Sequence, residues 1–395
     1  MSSSSFWSSI RARLQRLRRK KLSEVEKRHV PASADSGKVI DDNVPPPEAQ
    51  KHTLTLDERL PVWTIENTKL HEFHPQGLEV DDDDDASVPY NSENPYVTNP
   101  VEALQVAQTE RSWHNYKPGA KYYVPNDKTE MGRLDRQHII WTSVLDGDLV
   151  KAPIENAKTV LDLGTGSGVW ATDYARRHPE SEVLGIDLSK PTPSETPPNC
   201  KFEEVDFTDP WTYTQKFDLI HGRLIFLGQS DPKLSLQRAF DQLAPGGYLE
   251  HQELYGVPLD MDGSMRGRHM ESFFFDTVVA SRKLGNDMMA MPQYAGWMRE
   301  IGFEDVTELH YGLPLNPSWP KGDKYKSIGA MQQANLELAI GGLYTRMLTM
   351  GLGWTPEQAA EGIAKAIEDF KSPDVHAYWP IFVVYGRKPL STAAT

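Results

Sequence analysis

The sequence predicts a doubly wound α/β protein, in which a mostly parallel sheet carries helices on both faces. From residue 159 onward, short apolar segments typical of strands alternate with segments typical of helices, which is the pattern of a parallel sheet with crossover helices. A glycine-rich turn follows the first predicted strand. Acidic residues stand near the ends of three successive strands, where folds of this class bind their ligands.

The glycine-rich turn connects a predicted strand, Thr159–Leu163, to a predicted helix, Val169–Arg177. Its sequence is Gly164-Thr165-Gly166-Ser167-Gly168. Because glycine has no Cβ, a ligand can approach the backbone closely, and the free N–H groups of the following helix point at that ligand. A dinucleotide-binding turn has the spacing Gly-x-Gly-x-x-Gly. The tighter spacing therefore makes a dinucleotide-dependent oxidoreductase the less favoured hypothesis.

The next two strands end on residues suited to a nucleoside. Predicted strand 183–186 is followed by Asp187, close to the offset of about 20 residues at which nucleotide-binding folds place a ribose-binding acid. Predicted strand 201–205 is followed by Asp206 and Phe207, an acid and a ring that suit the amino group and the face of adenine. The glycine-rich turn contains no lysine, so a triphosphate is not expected. The alternative interpretation is that each acid caps the helix that follows it.

The remaining elements continue the alternation. A fourth strand is predicted at 217–221, and a Pro-Gly-Gly turn at 245–247 leads into a fifth. Further helices and strands are predicted at 131–149, 263–284, 292–301, 306–311 and 377–387. We expect one sheet that uses all of these strands.

A long connection, residues 312–376, separates the last two predicted strands. A connection of this length needs structure of its own and usually has a function. Helices are predicted at 325–350 and 356–370, the second capped by Thr355 with proline at its first position. We expect them to roof the ligand pocket, with contributions from Trp319, Tyr325 and Met331.

Composition limits the classes of protein. The chain has 395 residues, a net charge of −14 and one cysteine. Cys200 alone excludes an internal disulfide and favours an intracellular protein. No apolar run reaches the ~20 residues that a membrane-spanning helix needs, and no secretory signal pattern is present. The negative charge disfavours direct nucleic-acid binding by the catalytic domain.

The N-terminal residues 1–22 are rich in serine and then in arginine and lysine, with apolar residues at helical spacing. Four interpretations stay open: a nuclear localisation signal, a mitochondrial transit peptide, a membrane-surface helix, or a solvated basic tail. We expect a protein of the nucleus or cytoplasm, with the mitochondrion as the alternative.

The domain boundary is predicted near residue 90. Residues 30–58 have the composition of a linker, and residues 81–85 are all aspartate, so we expect residues 1–90 to be disordered and to supply little of the core. Residues 91–395 then form the folded domain, which includes a helical insertion at 316–372.

Six motifs resemble the fungal LaeA-like methyltransferases, which are class I enzymes dependent on S-adenosylmethionine (SAM). The resemblance covers about residues 122–389 and is carried by 161–171, 206–211, 218–221, 245–247, 312–317 and 376–378. It implies a seven-stranded sheet with one antiparallel strand and SAM as the cofactor. Some members regulate secondary metabolism together with velvet-type partner proteins, and others methylate small metabolites. This chain has Gly-Thr-Gly-Ser-Gly where the regulator has Gly-Cys-Gly-Thr-Gly.

The resemblance assigns roles to the residues of the strand ends. The predicted cofactor-binding residues are Asp162, Gly164, Thr165, Gly166, Gly168, Asp187, Leu188, Asp206 and Phe207. A base is needed only if the methyl acceptor must lose a proton; the candidates are His221, His251 and Glu253. For each histidine the alternative is a structural role. Glu130, Arg133 and Arg136 lie close together on one predicted helix. An arginine of this group is a candidate to bind the methionine carboxylate; the alternative is that the three residues form ordinary ion pairs along the helix. No metal site is predicted.

Two hypotheses for the function follow. One is an enzyme that methylates a small-molecule acceptor in secondary metabolism. The other is a regulator that assembles with velvet-type transcription partners and modifies protein or itself. An enclosed aromatic pocket beneath the insertion favours the enzyme, whereas a shallow cofactor site beside a large exposed apolar patch favours the regulator.

Overall fold

The computed structural model describes residues 73, 75–81, 112–113 and 122–390. All of them belong to one compact unit, His52–Thr395. The predicted basic N-terminal segment, the linker and residues 82–85 of the acidic run lie outside the described residues.

A single mixed sheet organises this unit. Its strand order is β3-β2-β1-β4-β5-β8-β6, and β7 pairs with the other side of β8. Strands β1 to β5 are parallel to one another, and β8 is antiparallel to each neighbour. The strands are β1 Thr159–Leu163, β2 Glu182–Asp187, β3 Cys200–Glu204, β4 Phe217–Arg223, β5 Leu243–Leu254, β6 Leu259–Asp260, β7 Glu304–Pro314 and β8 Ala377–Arg387.

The α/β class and the antiparallel last strand are confirmed, but the strand number differs. We expected seven strands, and the described residues form eight. The additional strand is the two-residue β6, which pairs with Ala377 and Tyr378 beyond the point where β5 leaves β8. A pairing this short depends on the position of β8, so the local sequence does not indicate it.

Seven α-helices surround the sheet in the described residues: α1 Lys128–Val144, α2 Val169–Arg177, α3 Pro232–Gln242, α4 His269–Lys283, α5 Tyr294–Ile301, α6 Asp323–Leu352 and α7 Pro356–Lys371. Helix α1 ends before residue 149, because Asp146 and Gly147 have φ angles of 59° and 89°, which a right-handed helix excludes. Helix α4 begins after residue 263 for the same reason, since Gly263 and Gly267 have positive φ.

The register of the central strands determines which side chains meet at the carboxyl ends of the strands. Asp162 on β1 pairs with His221 on β4, and both lie on the face that α2 covers, because alternate residues of a strand share a face. Val160 and Leu219, two positions earlier on each strand, pack with Trp170 of α2. The carboxyl ends of β1 to β4 therefore meet beside the start of α2.

The predicted insertion helices are present as α6 and α7, between β7 and β8. Thr355 forms a capping box with Gln358 at the start of α7. Helix α6 packs against α1, α4 and α7. Its approach to α4 requires a glycine, because a Cβ on Gly351 would lie 2.6 Å from the carbonyl oxygen of Ala280. The end of the long helix is thus packed closely against α4.

A segment before residue 90 packs on the domain. Phe73 is buried and stacks on His310 with ring centroids 4.6 Å apart. The Asp81 N–H donates to the carbonyl of Trp319 over 2.8 Å, and the Asp81 carboxylate pairs with Lys326. Residues 73 and 75–81 therefore pack on the domain, although they lie within the range that we expected to be disordered. The apolar residues that anchor the segment are isolated in a polar sequence, so no periodic pattern marks them.

In the part of the chain that the structure describes, no helix is both long enough and apolar enough to cross a bilayer.

Replacing Leu78 by alanine tests the packing of this segment. Leu78 is 4% exposed, so Leu78→Ala should lower the free energy of unfolding by about 3 kcal/mol, the usual cost of a cavity of this size. Leu390, which is 64% exposed, supplies the matched control, and Leu390→Ala should change the stability by less than about 0.5 kcal/mol. Denaturant unfolding of the full chain measures both. Equal stability of the two variants would show that the segment does not dock in solution.

Candidate functional site

A cavity of about 310 Å³ opens at the carboxyl ends of the parallel strands. Its walls come from the loops after β1, β2, β3 and β4 and from helices α1 and α6. This is the edge at which doubly wound sheets bind ligands. The volume lies near the lower end of the range of about 300–1,000 Å³ found for small-molecule sites.

The glycine-rich loop forms one wall. Gly164 and Gly166 line the cavity and have φ angles of 60° and 59°, which residues with a Cβ rarely adopt. Gly168 does not line it. A Cβ on Gly168 would lie 2.7 Å from the ring of Phe202, so this glycine is required by packing and by its own positive φ. A Cβ on Gly164 would likewise lie 2.7 Å from Ile225 Cγ2, so packing constrains this glycine too, but of the three glycines only Gly164 and Gly166 line the cavity.

Asp162 joins the loop to β4. Its Oδ2 accepts a hydrogen bond from Thr165 Oγ1 over 2.6 Å, and its Oδ1 lies 2.8 Å from His221 Nδ1. Trp170 stacks on the imidazole with centroids 3.7 Å apart. Burial lowers the pKa of His221, so the neutral ring donates its Nδ1 proton to the carboxylate. Asp162 therefore holds the loop and the strand together.

Asp187 places a carboxylate in the cavity wall beside Leu188. Its Oδ2 accepts the Gly166 N–H over 2.9 Å. Burial raises the pKa of Asp187 to about 6, and the nearby charge of Asp162 acts in the same direction. The side chain is ionised at neutral pH and is positioned to accept hydroxyl hydrogen bonds.

Asp206, Phe207 and Tyr122 form the far end of the cavity. Phe207 and Tyr122 approach each other, since a Cβ on Gly228 would lie 3.5 Å from Phe207 and 3.6 Å from Tyr122. Asp206 accepts from the backbone N–H of Thr208 over 2.9 Å, which fixes its carboxylate. The sequence analysis missed Tyr122. Order near residue 122 depends on contacts with this domain, so sequence position alone did not assign its ring to the cavity.

Two of the three candidate bases lie away from the cavity. His251 and Glu253 are buried and do not line it. His251 packs edge-on against Tyr294, and burial lowers its pKa to about 3. Glu253 Oε1 accepts the Ile225 N–H over 3.0 Å, and burial raises the pKa of this carboxyl. Both side chains point from β5 into the protein interior, so neither reaches an acceptor in this geometry.

The third candidate, His221, lines the cavity but is fully buried beneath Trp170. Its Nε2 is shielded from solvent, and its Nδ1 is engaged by Asp162. This geometry gives His221 a positioning role at the junction of β1 and β4.

The middle of α6 forms the wall opposite the glycine-rich loop. The residues expected from the sequence, Trp319, Tyr325 and Met331, do not line the cavity. Tyr325 Oη donates instead to the carbonyl of Gln76 over 2.8 Å, in the segment before residue 90. The α6 residues of the wall are Gln332, Asn335, Leu336, Ala339, Leu343 and Tyr344. The insertion does roof the site, but with residues further along the helix than we expected.

The two arginines of α1 that were candidates to bind the methionine carboxylate differ in their positions. Arg136 is exposed and does not line the cavity. Arg133 lines it but is committed, because its Nε and Nη2 donate to Glu130 Oε1 over 3.0 and 2.6 Å. Its Nη1 donates to Gln137 and to Asn335 of α6. Arg133 therefore forms an ion pair along α1 with Glu130 and ties α1 to α6 through its hydrogen bond to Asn335.

Among the described residues, no group of three or more His, Cys, Asp or Glu side chains is arranged to hold a metal ion.

The sheet order, the glycine loop and the acids at the strand ends define a class I SAM-dependent methyltransferase. Residues 144–308 match the family model described as a methyltransferase domain. The methyltransferase PytC of Aspergillus terreus is 33% identical, and the match covers 71% of this chain and 86% of that protein. The chain belongs to the LaeA-like methyltransferase family.

Relatives with regulatory names also match. The secondary metabolism regulator LaeA of Monascus pilosus is 29% identical over 71% of this chain and 77% of that protein. The protein-methionine methyltransferase LaeA of Emericella nidulans is 26% identical over 71% of this chain and 75% of its own. The family thus includes a member named only as a methyltransferase and members named for regulation or for protein modification.

The residues of the cavity fit SAM. Gly166 lines the cavity beside the Asp187 carboxylate, and a Cβ there would lie 3.0 Å from Leu134 Cδ1, another residue of the wall, so a larger residue would crowd this part of the site. Asp187 would hold the ribose hydroxyls, and Asp206 with Phe207 would hold the adenine. Bound SAM supplies an activated methyl group on a sulfonium. The protein's task is then to align the acceptor with that methyl group.

The pKa of Asp187 leads to a prediction for pH. Ribose hydroxyls donate to the ionised carboxylate, so protonation weakens binding. The affinity for S-adenosylhomocysteine should fall about tenfold between about pH 7.5 and about pH 5, because the free carboxylate titrates near 6. Isothermal titration calorimetry at several pH values measures this dependence.

Asp187→Asn is the control for that experiment. It should bind more weakly at neutral pH, since each hydrogen bond to a charged group contributes about 1.5–3 kcal/mol, and its affinity should not vary over the same pH interval. A pH dependence that persists in Asp187→Asn would assign the titration to another group.

Proposed function

We propose that this protein transfers the methyl group of SAM to an apolar or aromatic small molecule of secondary metabolism. The observation that carries this proposal is the apolar part of the cavity lining beside α6. Leu336, Ala339 and Leu343 of α6 line the cavity together with Leu254, Met288 and Trp379. An apolar lining of this kind suits a hydrophobic acceptor, with a few polar groups to fix its orientation.

The wall also contains a polar group for orientation. Gln332 and Asn335 are buried on α6, and Asn335 Nδ2 donates to Gln332 Oε1 over 3.3 Å. Asn335 accepts from Arg133, which holds the pair in place. These amides are suited to hydrogen-bond a carbonyl or hydroxyl of the acceptor, as buried polar groups require partners.

The acceptor atom is one that does not need a protein base. Among the described residues that line the cavity, Glu130 is paired with Arg133, and Asp162 is bonded to Thr165 and His221. Asp187 and Asp206 also line it but are assigned to the cofactor. Burial raises the pKa of the Tyr344 hydroxyl, so it stays protonated. A neutral amine (such as an aromatic amine), a thioether or a carboxylate already carries a lone pair that attacks without prior loss of a proton. We infer that the acceptor belongs to one of these classes.

A labelling experiment tests the function. The full chain would be incubated with methyl-labelled SAM and a fungal extract, which is then separated into small molecules and protein. We expect the label in the small-molecule fraction, on nitrogen, sulfur or a carboxyl group, and no transfer by Gly166→Val, whose side chain is strained at a φ of 59°. A label confined to protein would contradict the proposal.

The second candidate function is regulatory. Relatives named as secondary metabolism regulators and as a protein-methionine methyltransferase favour it, and on this hypothesis the chain acts in the nucleus with velvet-type partner proteins. The same experiment separates the two, because regulation through protein modification places the label on protein. Imaging of the tagged full chain then tests the nuclear location.

Truncating a side chain of the α6 wall should raise the KM for the acceptor and leave the affinity for SAM nearly unchanged. Leu343→Ala removes apolar contact area from the cavity, so the KM for the acceptor should rise roughly tenfold, as expected for lost methylene contacts. The affinity for SAM should stay within about threefold. Leu338→Ala is the matched control, because Leu338 lies on the same helix and is 37% exposed. Equal effects of the two variants would contradict this role for the α6 wall.

A further inference from the structure

One cation of the cavity wall is partly shielded from solvent and yet has no ion-pair partner among the described residues. The described wall contains Arg133, Lys190 and Arg223. Arg133 is paired with Glu130, and Lys190 is exposed to solvent. Arg223, the last residue of β4, is half-buried and forms no ion pair with a carboxylate of the described residues. A charge in such a place is costly without an anion close to it.

The guanidinium of Arg223 is held in a defined position. Its Nη2 lies 3.1 Å from His138 Nδ1, and its plane lies over the ring of Trp141. His138 Nε2 lies 3.1 Å from Asp173 Oδ2, and Asp173 also accepts from Arg177 over 2.7 Å. Burial and the charge of Arg223 keep the pKa of His138 low. His138 is therefore neutral: it accepts from Arg223 and donates to Asp173.

The rest of Arg223 faces the cavity. Its hydrogen bond to His138 uses one N–H, and the described residues provide no other hydrogen bond to the guanidinium. Two parallel N–H groups of an arginine match the two oxygens of a carboxylate. Burial lowers the pKa of Arg223 to about 10, which leaves it charged at neutral pH. The free side of the guanidinium is thus prepared for an anion within the cavity.

The strand order indicates which part of the cofactor would lie beside Arg223. The strands run in the order β3, β2, β1, β4. Asp206 and Phe207 follow β3, Asp187 ends β2, and the glycine loop follows β1. Adenine over β3 and ribose over β2 direct the amino-acid end of SAM towards β1 and β4. Arg223 ends β4, next to that position.

We propose that Arg223 binds the α-carboxylate of the methionine moiety of SAM, and that His138 and Asp173 position its guanidinium. This inference rests on the proposed SAM site. It adds a contact for the amino-acid end to those proposed for the adenine, the ribose and the glycine-rich loop. It replaces the assignment of this carboxylate to the α1 cations, because Arg133 is already neutralised and Arg136 is outside the cavity. His138 acts as a positioning residue, since it reaches the cofactor through Arg223.

Two ligands that differ only at the amino-acid end test the proposal. S-adenosylhomocysteine carries the carboxylate, and 5′-methylthioadenosine lacks the whole amino-acid end. Calorimetry on the full chain should show that Arg223→Gln binds S-adenosylhomocysteine roughly tenfold to hundredfold more weakly than the unmodified chain does. Its affinity for 5′-methylthioadenosine should stay within about threefold. Arg223→Lys should recover part of the loss, because lysine keeps the charge without the planar fork.

Further variants separate positioning from general charge. His138→Ala should reduce the same preference for S-adenosylhomocysteine by a smaller factor, with 5′-methylthioadenosine unaffected. Lys190→Gln is the matched control, because it removes another cation of the cavity wall and should leave the preference unchanged. Melting temperatures measured without ligand check that each variant is folded. If Arg223→Gln does not fold, the comparison of Arg223→Lys and His138→Ala decides the question.

The contrary outcomes are distinct. Equal losses for both ligands, or no loss for either, would overturn the role of Arg223. A fall in turnover alone, with both affinities unchanged, would place Arg223 at the acceptor and would also overturn it. If the unmodified chain bound neither ligand, the SAM site itself would be wrong. If binding follows the prediction but no small molecule is labelled, the cofactor contact stands and the proposed acceptor class fails.

Discussion

The site depends on one buried carboxylate, that of Asp162. It binds the hydroxyl of Thr165 in the glycine loop and the imidazole of His221 on the next strand. These bonds fix the loop against β4, and Trp170 closes over the imidazole. A buried carboxylate is costly unless its oxygens are satisfied, so the loop and the strand stabilise each other. The positions of Gly166 and, through it, Asp187 follow from this junction.

The insertion adds a helical wall to the carboxyl edge of the parallel strands. Helix α6 lies against α1, and the Glu130–Arg133–Asn335 bonds join the two helices at the wall. The first turn of α6 has a different partner, because Tyr325 bonds to Gln76 in the segment before residue 90. One helix thus contacts the N-terminal segment at its start and lines the cavity with its middle.

The two arginines of the cavity show how neighbours decide the role of a charge. Arg133 and Arg223 both line the wall. Glu130, three residues earlier on α1, neutralises Arg133, whereas Arg223 has the neutral His138 as its partner. The first arginine is structural, and the second keeps its charge for a ligand. Residue type alone does not distinguish them, because the difference lies in what packs beside each guanidinium.

The sequence by itself determined the fold class and the cofactor end of the site. Val169–Arg177 and Ala377–Arg387 have the predicted bounds, because strand and helix periods are local properties. Asp187 and Phe207 line the cavity for a related reason, since the ends of parallel strands meet at one edge. Only the tertiary structure decided which distant groups meet there. His251 and Glu253 lie outside the cavity, Tyr122 and Arg223 line it, and the α6 residues of its wall begin after Met331. The local sequence does not predict these positions, because they depend on side-chain direction and long-range packing.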